Sequence, residues 1–383
     1  MIQCSLIIPV FNGCRFLNLF WSSLNIAIKF SVEIIIIDDA STENIHSTLS
    51  SISDKFNIRY YRNEFNQGYA ASVNKGMSLA NGELMILLNS DLILTENTLV
   101  GLIKPFNNDR NIGLVGSKLL YPQTNKIQHF GVAFSHTRKF HVYTHASVSD
   151  KVVSGNKEVQ AVTFALVCLP KKVYDIVGQL NTLYYNGCED IDYSLRVKNS
   201  GYKVIVSSEA LAYHWESQSG NARHISSPDN EARFWKDWGN KLKVDYLKYY
   251  DESFTYYFQD NPVPDNPTII NLSANYQVEE IISSIKEKLG CKSAVVNFRI
   301  RSNHTYHLLL PMIIPLEYMR YNSPIVYLVD EFPQMSQNFY WFAQRAQFQK
   351  GDIIIDNYGN VINSGNYADS IAASRIKSKE DVS

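Results

Sequence analysis

The side chains that could do chemistry fall in four short segments, each at or near the end of a run of apolar residues or the start of a helical pattern. Asp38-Asp39-Ala40-Ser41 follows Ile34 to Ile37; carboxylates there can accept hydrogen bonds from a base N–H and from ribose hydroxyls, and an Asp or Ser there equally serves to N-cap a following helix. In Asn66-Gln67-Gly68-Tyr69, Gly68 permits close backbone approach and the helix start behind it can face a diphosphate. Asn74 lies about two helical turns further along. Asn89-Ser90-Asp91 ends an apolar run, and a carboxylate there offers Mg²⁺ or Mn²⁺ a hard oxygen, making Asp91 the candidate metal ligand; an Asp at a strand end is also a common cap or turn former. The fourth segment runs from Gly187 through Glu189, Asp190 and Asp192 to Arg196 and is followed by Tyr213-His214-Trp215. Asp190 is placed to take a proton from an attacking hydroxyl, Glu189 to hydrogen-bond the molecule that carries it, and Asp192 to pair with Arg196 at i+4. The same acids also suit a solvated helix start, where the dipole favours negative charge. His214 offers an imidazole as second metal ligand, or packs as an ordinary hydrogen-bonded histidine.

These segments need elements to hold them. Ser5 to Val10 and Val32 to Ile37 are apolar runs of the kind buried on both faces of a parallel sheet, and Arg15 to Phe30 has apolar residues at helical spacing, which makes a βαβ unit. A strand at 58–61, a helix at 69–79 and a strand at 84–88 continue the alternation toward a doubly wound, mostly parallel α/β sheet of Rossmann-like type, whose ligands collect at the carboxyl ends of the strands. Beyond Asp91 the pattern predicts a helix through Leu99 to Phe106, a strand at 112–120, an irregular stretch or hairpin at 121–158, a strand at 159–169 and a helix over 188–200. The Pro-rich segment around 260–267 marks a linker, so the expected division is a domain at 1–250, a linker at 251–267 and a smaller α/β unit at 268–383. That last unit is short for a complete nucleotide-binding domain and reads as truncated.

Bulk properties narrow the partners. With 36 Lys plus Arg against 37 Asp plus Glu, no global field recruits nucleic acid or an acidic membrane, so an anionic ligand must be held locally. Five scattered cysteines, without CxxC spacing, argue against a zinc site or a disulfide framework and for a reducing compartment. The apolar run at the start breaks at Pro9, too short for a signal peptide or a membrane span, so the expected location is the cytoplasm, with peripheral contact at the inner face of the membrane left open.

In their order, SLIIPVFN, IIIIDDAS, NQGYAASVNKG, LLNSDLIL, the EDIDYSLR helix, GYKVIV and YHWES resemble the family 2 inverting glycosyltransferases of GT-A fold, over residues 1 to about 245. The resemblance implies a nucleotide-diphosphate sugar donor, a glycan or lipid-linked acceptor and a divalent metal, Mn²⁺ or Mg²⁺. It implies that Pro9, Phe11, Asn12, Asp38, Asp39, Asn66, Gly68, Asn74, Asn89 and Ser90 form the donor side, that Asp91 and His214 hold the metal, that Asp190 is the base, and that Glu189 and Trp215 meet the acceptor. Phe234, Trp235 and Trp238 either line an acceptor groove or pack as core. One departure from the family pattern is Asn89, which stands where the metal triplet often begins with Asp. Asn-Ser-Asp is most similar to the branch that includes rhamnosyltransferases of bacterial surface polysaccharides, such as O-antigen and capsule, which suggests a dTDP- or UDP-sugar.

Two other readings stand beside this one. A nucleotidyltransferase would also use an α/β sheet and a metal carboxylate, but it calls for a Gly-rich basic loop after the first strand, where Phe11 to Arg15 offers one Gly and one Arg. A catalytically inactive carbohydrate-binding or scaffold protein would have no need of a base opposite a metal site.

Overall fold

The computed structural model describes residues 4–51, 55–135, 138–215, 222–261, 267–271, 273, 278–289, 295–297, 324–330 and 351–363, arranged as two compact units, 1–244 and 245–383. The first unit begins β1 (Cys4–Val10), α1 (Cys14–Ala27), β2 (Val32–Asp38), β3 (Asn57–Arg62), α2 (Tyr69–Leu79), β4 (Leu84–Leu88), β5 (Leu92–Leu94), α3 (Thr98–Asn108) and β6 (Ile112–Leu120). It continues through β7 (Ile127–His129), β8 (Val132–Phe134), β9 (Lys139–His141), β10 (Lys157–Val159), β11 (Leu166–Pro170), α4 (Lys171–Val177), α5 (Glu189–Asn199), β12 (Lys203–His214) and α6 (Ala222–Trp238).

The main sheet runs β10-β12-β6-β11-β4-β1-β2-β3, with β5 on β12 and β7 on β6. β1 pairs in parallel with both β2 and β4, so the strand order reverses at β1 and the carboxyl ends of β1 and β4 part to leave a crevice. β11 enters antiparallel between β4 and β6. The expected doubly wound, mostly parallel α/β sheet is the one found. Ile34 to Ile37 are all 0% exposed, which is why β2 is uniformly apolar rather than alternating. α1 buries Leu17, Phe20, Trp21, Leu24 and Ala27, a three-to-four-residue spacing that turns one stripe onto the sheet. Gly76 on α2 lets that helix press on β1: an added Cβ would sit 2.3 Å from the Ile7 side chain.

One buried charge knits the sheet edge. Glu33 on β2 accepts from Ser5 Oγ (2.6 Å), the Asn81 N–H (2.7 Å) and Arg59 Nη1 (3.0 Å), joining β1, β3 and the turn before β4. A buried carboxylate is tolerable only when paired and hydrogen-bonded in this way.

The stretch 121–158, expected as loop or hairpin, contains β7, the antiparallel β8–β9 pair and β10. The single strand expected over 159–169 is two, β10 and β11, separated by a turn that carries Phe164 and Ala165.

The second unit comprises α7 (Tyr246–Asp260), β13 (Thr268–Asn271), α8 (Val278–Leu289), β14 (Val295–Asn297), β15 (Ile325–Leu328), β16 (Ile353–Ile355) and β17 (Val361–Asn363), with sheet order β14-β13-β15-β16-β17, parallel except at β17. The segment expected to be a linker, 251–267, is therefore helical over its first ten residues: Tyr246, Tyr249 and Tyr250 are buried at helical spacing, and the division falls after Val244. Residues 262–266, the Pro-rich core of that expectation, lie outside the described residues, as does Cys291. Among the described residues the four cysteines Cys4, Cys14, Cys168 and Cys188 are free thiols, and no helix is long and apolar enough to cross a membrane.

Candidate functional site

A cleft of about 510 Å³ opens where the carboxyl ends of β1 and β4 separate. It gathers eleven of the expected residues: Pro9, Phe11, Asp39, Asn66, Gly68, Asn89, Ser90, Asp91, Glu189, Asp190 and His214. They come from strand ends and helix starts far apart in the chain.

On the β2 side, Asp39 is 4% exposed and acts as an anchor. Its Oδ1 accepts from Asn63 Nδ2 (2.8 Å) and the Gln67 N–H (2.9 Å), and its Oδ2 accepts from the Gly68 N–H (2.8 Å). Gly68 has φ +86°, and a Cβ there would lie 2.8 Å from the Tyr185 ring. Tyr185 in turn donates its hydroxyl to Asn66 Oδ1 (2.9 Å), while Asn186 Oδ1 accepts from the Tyr69 N–H (2.9 Å). The 66–69 loop is thus held between Asp39 beneath and residues 185–186 above, and only glycine fits both the dihedral and the gap.

On the β4 side, Asn89 donates its N–H to the Ala165 carbonyl at 2.8 Å. Among the described residues no donor reaches Asn89 Oδ1 or Asp91 Oδ1, although both atoms are buried. Asp91 Oδ1 lies 3.4 Å from His214 Nε2. This meeting is made by the antiparallel pairing of β5 with β12, which sets Leu92 opposite His214, and by the Trp215 N–H donating to the Asp91 carbonyl at 3.0 Å. Asp190 lines the cleft from the first turn of α5, with Oδ1 accepting from the Ile191 N–H at 2.8 Å, and Glu189 beside it is 7% exposed. Tyr69, whose hydroxyl donates to the Phe164 carbonyl at 2.7 Å, is held well above the ordinary tyrosine range by burial and by the carboxylates of Glu189, Asp190 and Asp91 around it. Its neutral phenol marks where those three acids converge.

Four expected residues are not brought to the cleft. Asp38 is 0% exposed; Oδ1 accepts from the Ser41 N–H (2.8 Å), and Oδ2 from Tyr60 Oη (2.5 Å) and Arg62 Nη1. Its oxygens accept from the protein, and it clasps β2 to β3 without lining the cleft. Asn12, at φ +57°, spends Oδ1 on the Thr42 N–H (2.8 Å) and hydroxyl (3.1 Å) and the Glu43 N–H (3.3 Å), tying the loop after β1 to the loop after β2. Asn74 exchanges two hydrogen bonds with the Leu180 backbone, at 2.9 and 2.8 Å, which fastens α2 to the segment before α5. Trp215 packs its ring 5.8 Å from that of Phe16 on α1. The Asp192–Arg196 pair expected at i+4 forms at 2.9 Å, and Trp238 Nε1 donates to Asp192 at 2.9 Å. Phe234 and Trp238 are core, packed with Tyr184, Ile191 and Leu195.

The cleft also contains residues that sequence reasoning passed over: Tyr69, Tyr185 and Asn186 on one wall, and Arg138, Lys139 and His141 from β9 and the residue before it on another. Two of these, Tyr185 and Asn186, precede the acidic helix start almost directly, which was the available signal. The β9 residues had none, because a three-residue strand carries no readable period.

Among the described residues no cluster of three or more His, Cys, Asp or Glu is arranged to hold a metal. Asp91 Oδ1 and His214 Nε2, 3.4 Å apart, are two atoms that could hold one from one side. That arrangement suits an ion that completes its shell with phosphate oxygens and water, as Mg²⁺ commonly does. Asn89, which lines the same cleft, offers a second hard oxygen in its unpartnered Oδ1, uncharged where Asp is common.

Residues 5–150 match the family described as Glycosyl transferase family 2. The chain is 28% identical over 228 residues to the uncharacterized protein y4gI of Sinorhizobium fredii, a match covering 56% of this chain and 24% of that protein. It is 26% identical over 173 residues to the O-antigen biosynthesis protein RfbC of Myxococcus xanthus, covering 44% of this chain and 13% of that one. The chain thus spans a quarter or less of the length of these two curated relatives. A crystal structure of GalNAc-T7 with UDP, GalNAc and Mn²⁺ aligns with TM-score 0.50 and 17% identity, covering 76% of this chain and 56% of that one. At that identity the likeness speaks to the fold, which is that of the GT-A glycosyltransferases.

Proposed function

Because residues 5–150 carry a glycosyltransferase family 2 domain, we propose that this chain moves a sugar from a nucleotide-diphosphate donor to an acceptor hydroxyl by a single, inverting displacement in the cleft between β1 and β4. The observation that supports this best is the convergence in one cleft of an unspent carboxylate oxygen, Asp91 Oδ1, an imidazole nitrogen 3.4 Å away, His214 Nε2, and a separate carboxylate, Asp190. A binding protein has no use for a base and a cation half-site in one pocket.

In this reading Pro9 and Phe11 at the end of β1 border the nucleoside, and the 66–69 loop, fixed by Asp39 and capped by Tyr185, presents Gly68 and the start of α2 to the diphosphate. Asp91 and His214 would hold a divalent cation, Mn²⁺ or Mg²⁺, which when bound would supply electrostatic stabilisation of the departing nucleotide diphosphate. Asp190 accepts the proton of the acceptor hydroxyl as its oxygen bonds to the anomeric carbon and the bond from that carbon to the phosphate oxygen breaks, with inversion. Glu189 orients the acceptor. The Asn-Ser-Asp triplet supports a dTDP- or UDP-sugar donor, and likeness to the Myxococcus xanthus O-antigen biosynthesis protein supports a role in building bacterial surface polysaccharide; a glycan or lipid-linked acceptor at the inner face of the membrane completes this reading.

The test is Asp190→Asn. Turnover should fall by roughly 10²–10⁴ while the affinity for nucleotide diphosphate stays within twofold, and ¹H NMR of the product should show the inverted anomer. Unchanged turnover removes Asp190 from the role of base, and a retained anomer excludes the single displacement.

A further inference from the structure

Asn186 lines the cleft, and the proposed displacement leaves it without a role. Its side chain has one polar atom spent and one not. Asn186 Oδ1 faces the Tyr69 N–H at 2.9 Å, and because a backbone N–H can only donate, the atom facing it must be the carbonyl oxygen. That contact fixes which way the amide is turned. Among the described residues no acceptor takes the Nδ2 group, so its two hydrogens are left to the cleft.

Asn186 sits on the loop at residues 66–69. Its Oδ1 bonds the first residue of α2 and lies 3.4 Å from where a Cβ on Gly68 would be. The main-chain amides of that loop are already given away: those of Gln67 and Gly68 go to Asp39, at 2.9 and 2.8 Å, and that of Tyr69 goes to Asn186. The loop therefore allows close approach at Gly68, and the donors for an anion there must come from side chains. Asn66, at the other end of the loop, is turned in the same way, with Oδ1 accepting from the Tyr185 hydroxyl at 2.9 Å and Nδ2 without an acceptor among the described residues.

The segment that carries Asn186 is held in place. Asn186 and Cys188 have φ +53° and +73°, left-handed values that a non-glycine residue keeps only where its surroundings over-determine them. Asn230 on α6, 4% exposed, does this for the residue before: its Oδ1 accepts from the Tyr185 N–H at 3.2 Å and its Nδ2 donates to the Tyr185 carbonyl at 2.8 Å.

We propose that Asn186 is a diphosphate-binding residue of the cleft: with Oδ1 fixed on Tyr69, its Nδ2 donates a hydrogen bond to a phosphoryl oxygen of the nucleotide diphosphate. The inference rests on the reading given under Proposed function, which sets the diphosphate at this loop, and adds a side chain that meets it. Because the amide is oriented before the ligand arrives, it aims a donor at the anion with no reorganisation on binding.

Two variants test this, both compatible with a left-handed backbone. Asn186→Asp keeps an oxygen for the Tyr69 N–H but puts a charged acceptor where the donor was. Asn186→Gly loses both bonds and adds no charge. Calorimetry on the full chain with Mn²⁺ and UDP, dTDP, GDP and CDP, each beside its glucose-linked form, reads affinity. The diphosphate that wild type binds should lose roughly tenfold to a hundredfold in affinity in Asn186→Asp and less in Asn186→Gly, while the ligand-free melting temperature falls more in Asn186→Gly. A residue that merely ties the loop gives the reverse order of affinities, since Asp keeps the tie and Gly cuts it, and that order overturns the proposal. So does either variant binding the free diphosphate like wild type, including the case in which only the glucose-linked form weakens, which puts Asn186 at the sugar. Wild type that binds none of the four diphosphates overturns the functional reading and this inference with it; the other adverse outcomes overturn the inference alone.

Discussion

Gln128 decides what the 3.4 Å contact between Asp91 Oδ1 and His214 Nε2 is. Gln128 Nε2 donates to the His214 carbonyl at 3.2 Å, so the amide oxygen is the atom that faces His214 Nδ1, at 2.8 Å. Nδ1 therefore carries a proton, and in the neutral ring Nε2 presents a lone pair toward a carboxylate. Two acceptors at that separation are satisfied by something positive between them, a proton or a cation.

From this, Asp91→Ala and His214→Ala should each abolish the Mn²⁺ dependence of thermal stabilisation by nucleotide diphosphate, and Gln128→Leu, which touches no ligand, should weaken metal affinity by roughly 10–100-fold. Differential scanning fluorimetry across a Mn²⁺ titration reads all three. Retention of full metal dependence in Asp91→Ala would remove the half-site.

Asn74 separates a structural role from a binding one. Asn74→Ala leaves the Leu180 N–H and carbonyl without their partners in a buried setting, a cost of about 1–3 kcal/mol for each group left unsatisfied. The urea midpoint should drop accordingly while nucleotide affinity, measured well below that midpoint, holds. A variant of native stability that loses nucleotide binding would return Asn74 to the site.

Gly68→Ala should damage the site more than the fold. The substitution forces an L residue to φ +86°, ψ 170°, a region populated essentially by glycine alone, and pushes its methyl to 2.8 Å from the Tyr185 ring, costing about 1–3 kcal/mol from the dihedral alone. Tyr185 swings out, the Asn66 contact is lost, and nucleotide affinity falls. Gly68→Ala in a Tyr185→Ala background should recover part of the affinity, and its failure to do so would show that the dihedral, not the ring, sets the requirement.

The Asp38 clasp makes a pH prediction. Burial by itself would raise the Asp38 pKa, but hydrogen bonds from Ser41, Tyr60 and Arg62 outweigh it and hold the carboxyl below its ordinary value of 3.8. With the folded pKa depressed, the stabilisation is complete above the unfolded value near ~3.9 and is lost as pH falls through the folded one. Glu33 acts in the same direction, since its hydrogen bonds from Ser5, Asn81 and Arg59 also overcome burial. Tyr60→Phe should therefore move the acid-unfolding midpoint upward in pH, followed by circular dichroism, with little change in stability difference between pH 6 and pH 8. An unshifted midpoint would mean that Asp38 does not govern acid unfolding.

Much of this fold was legible because its strands are buried on both faces. Continuous apolar runs bounded by polar residues gave the extents of β4 and β6 to the residue, and helical spacing did the same for α2. The region of β7 to β9 escaped because three-residue strands are made by their neighbours and carry no period of their own. The start of the second unit was misjudged because a Tyr-rich, Pro-flanked stretch suggested a linker, whereas Tyr246, Tyr249 and Tyr250 keep a helical spacing that only burial makes plain.

For the site, local order in the chain was enough to name the acids and to put them at strand ends and a helix start, since periodicity and capping are properties of neighbouring residues. It could not tell Asp38 from Asp39, adjacent and alike, of which the first is saturated by Tyr60 and Arg62 and the second props up the cleft. Nor could it set His214 within 3.4 Å of Asp91, because that meeting comes from the pairing of β5 with β12, strands more than a hundred residues apart. Which polar atoms are already spent on the protein, and which are left for a ligand, is a question of hydrogen-bond saturation in three dimensions, and tertiary structure alone decided it.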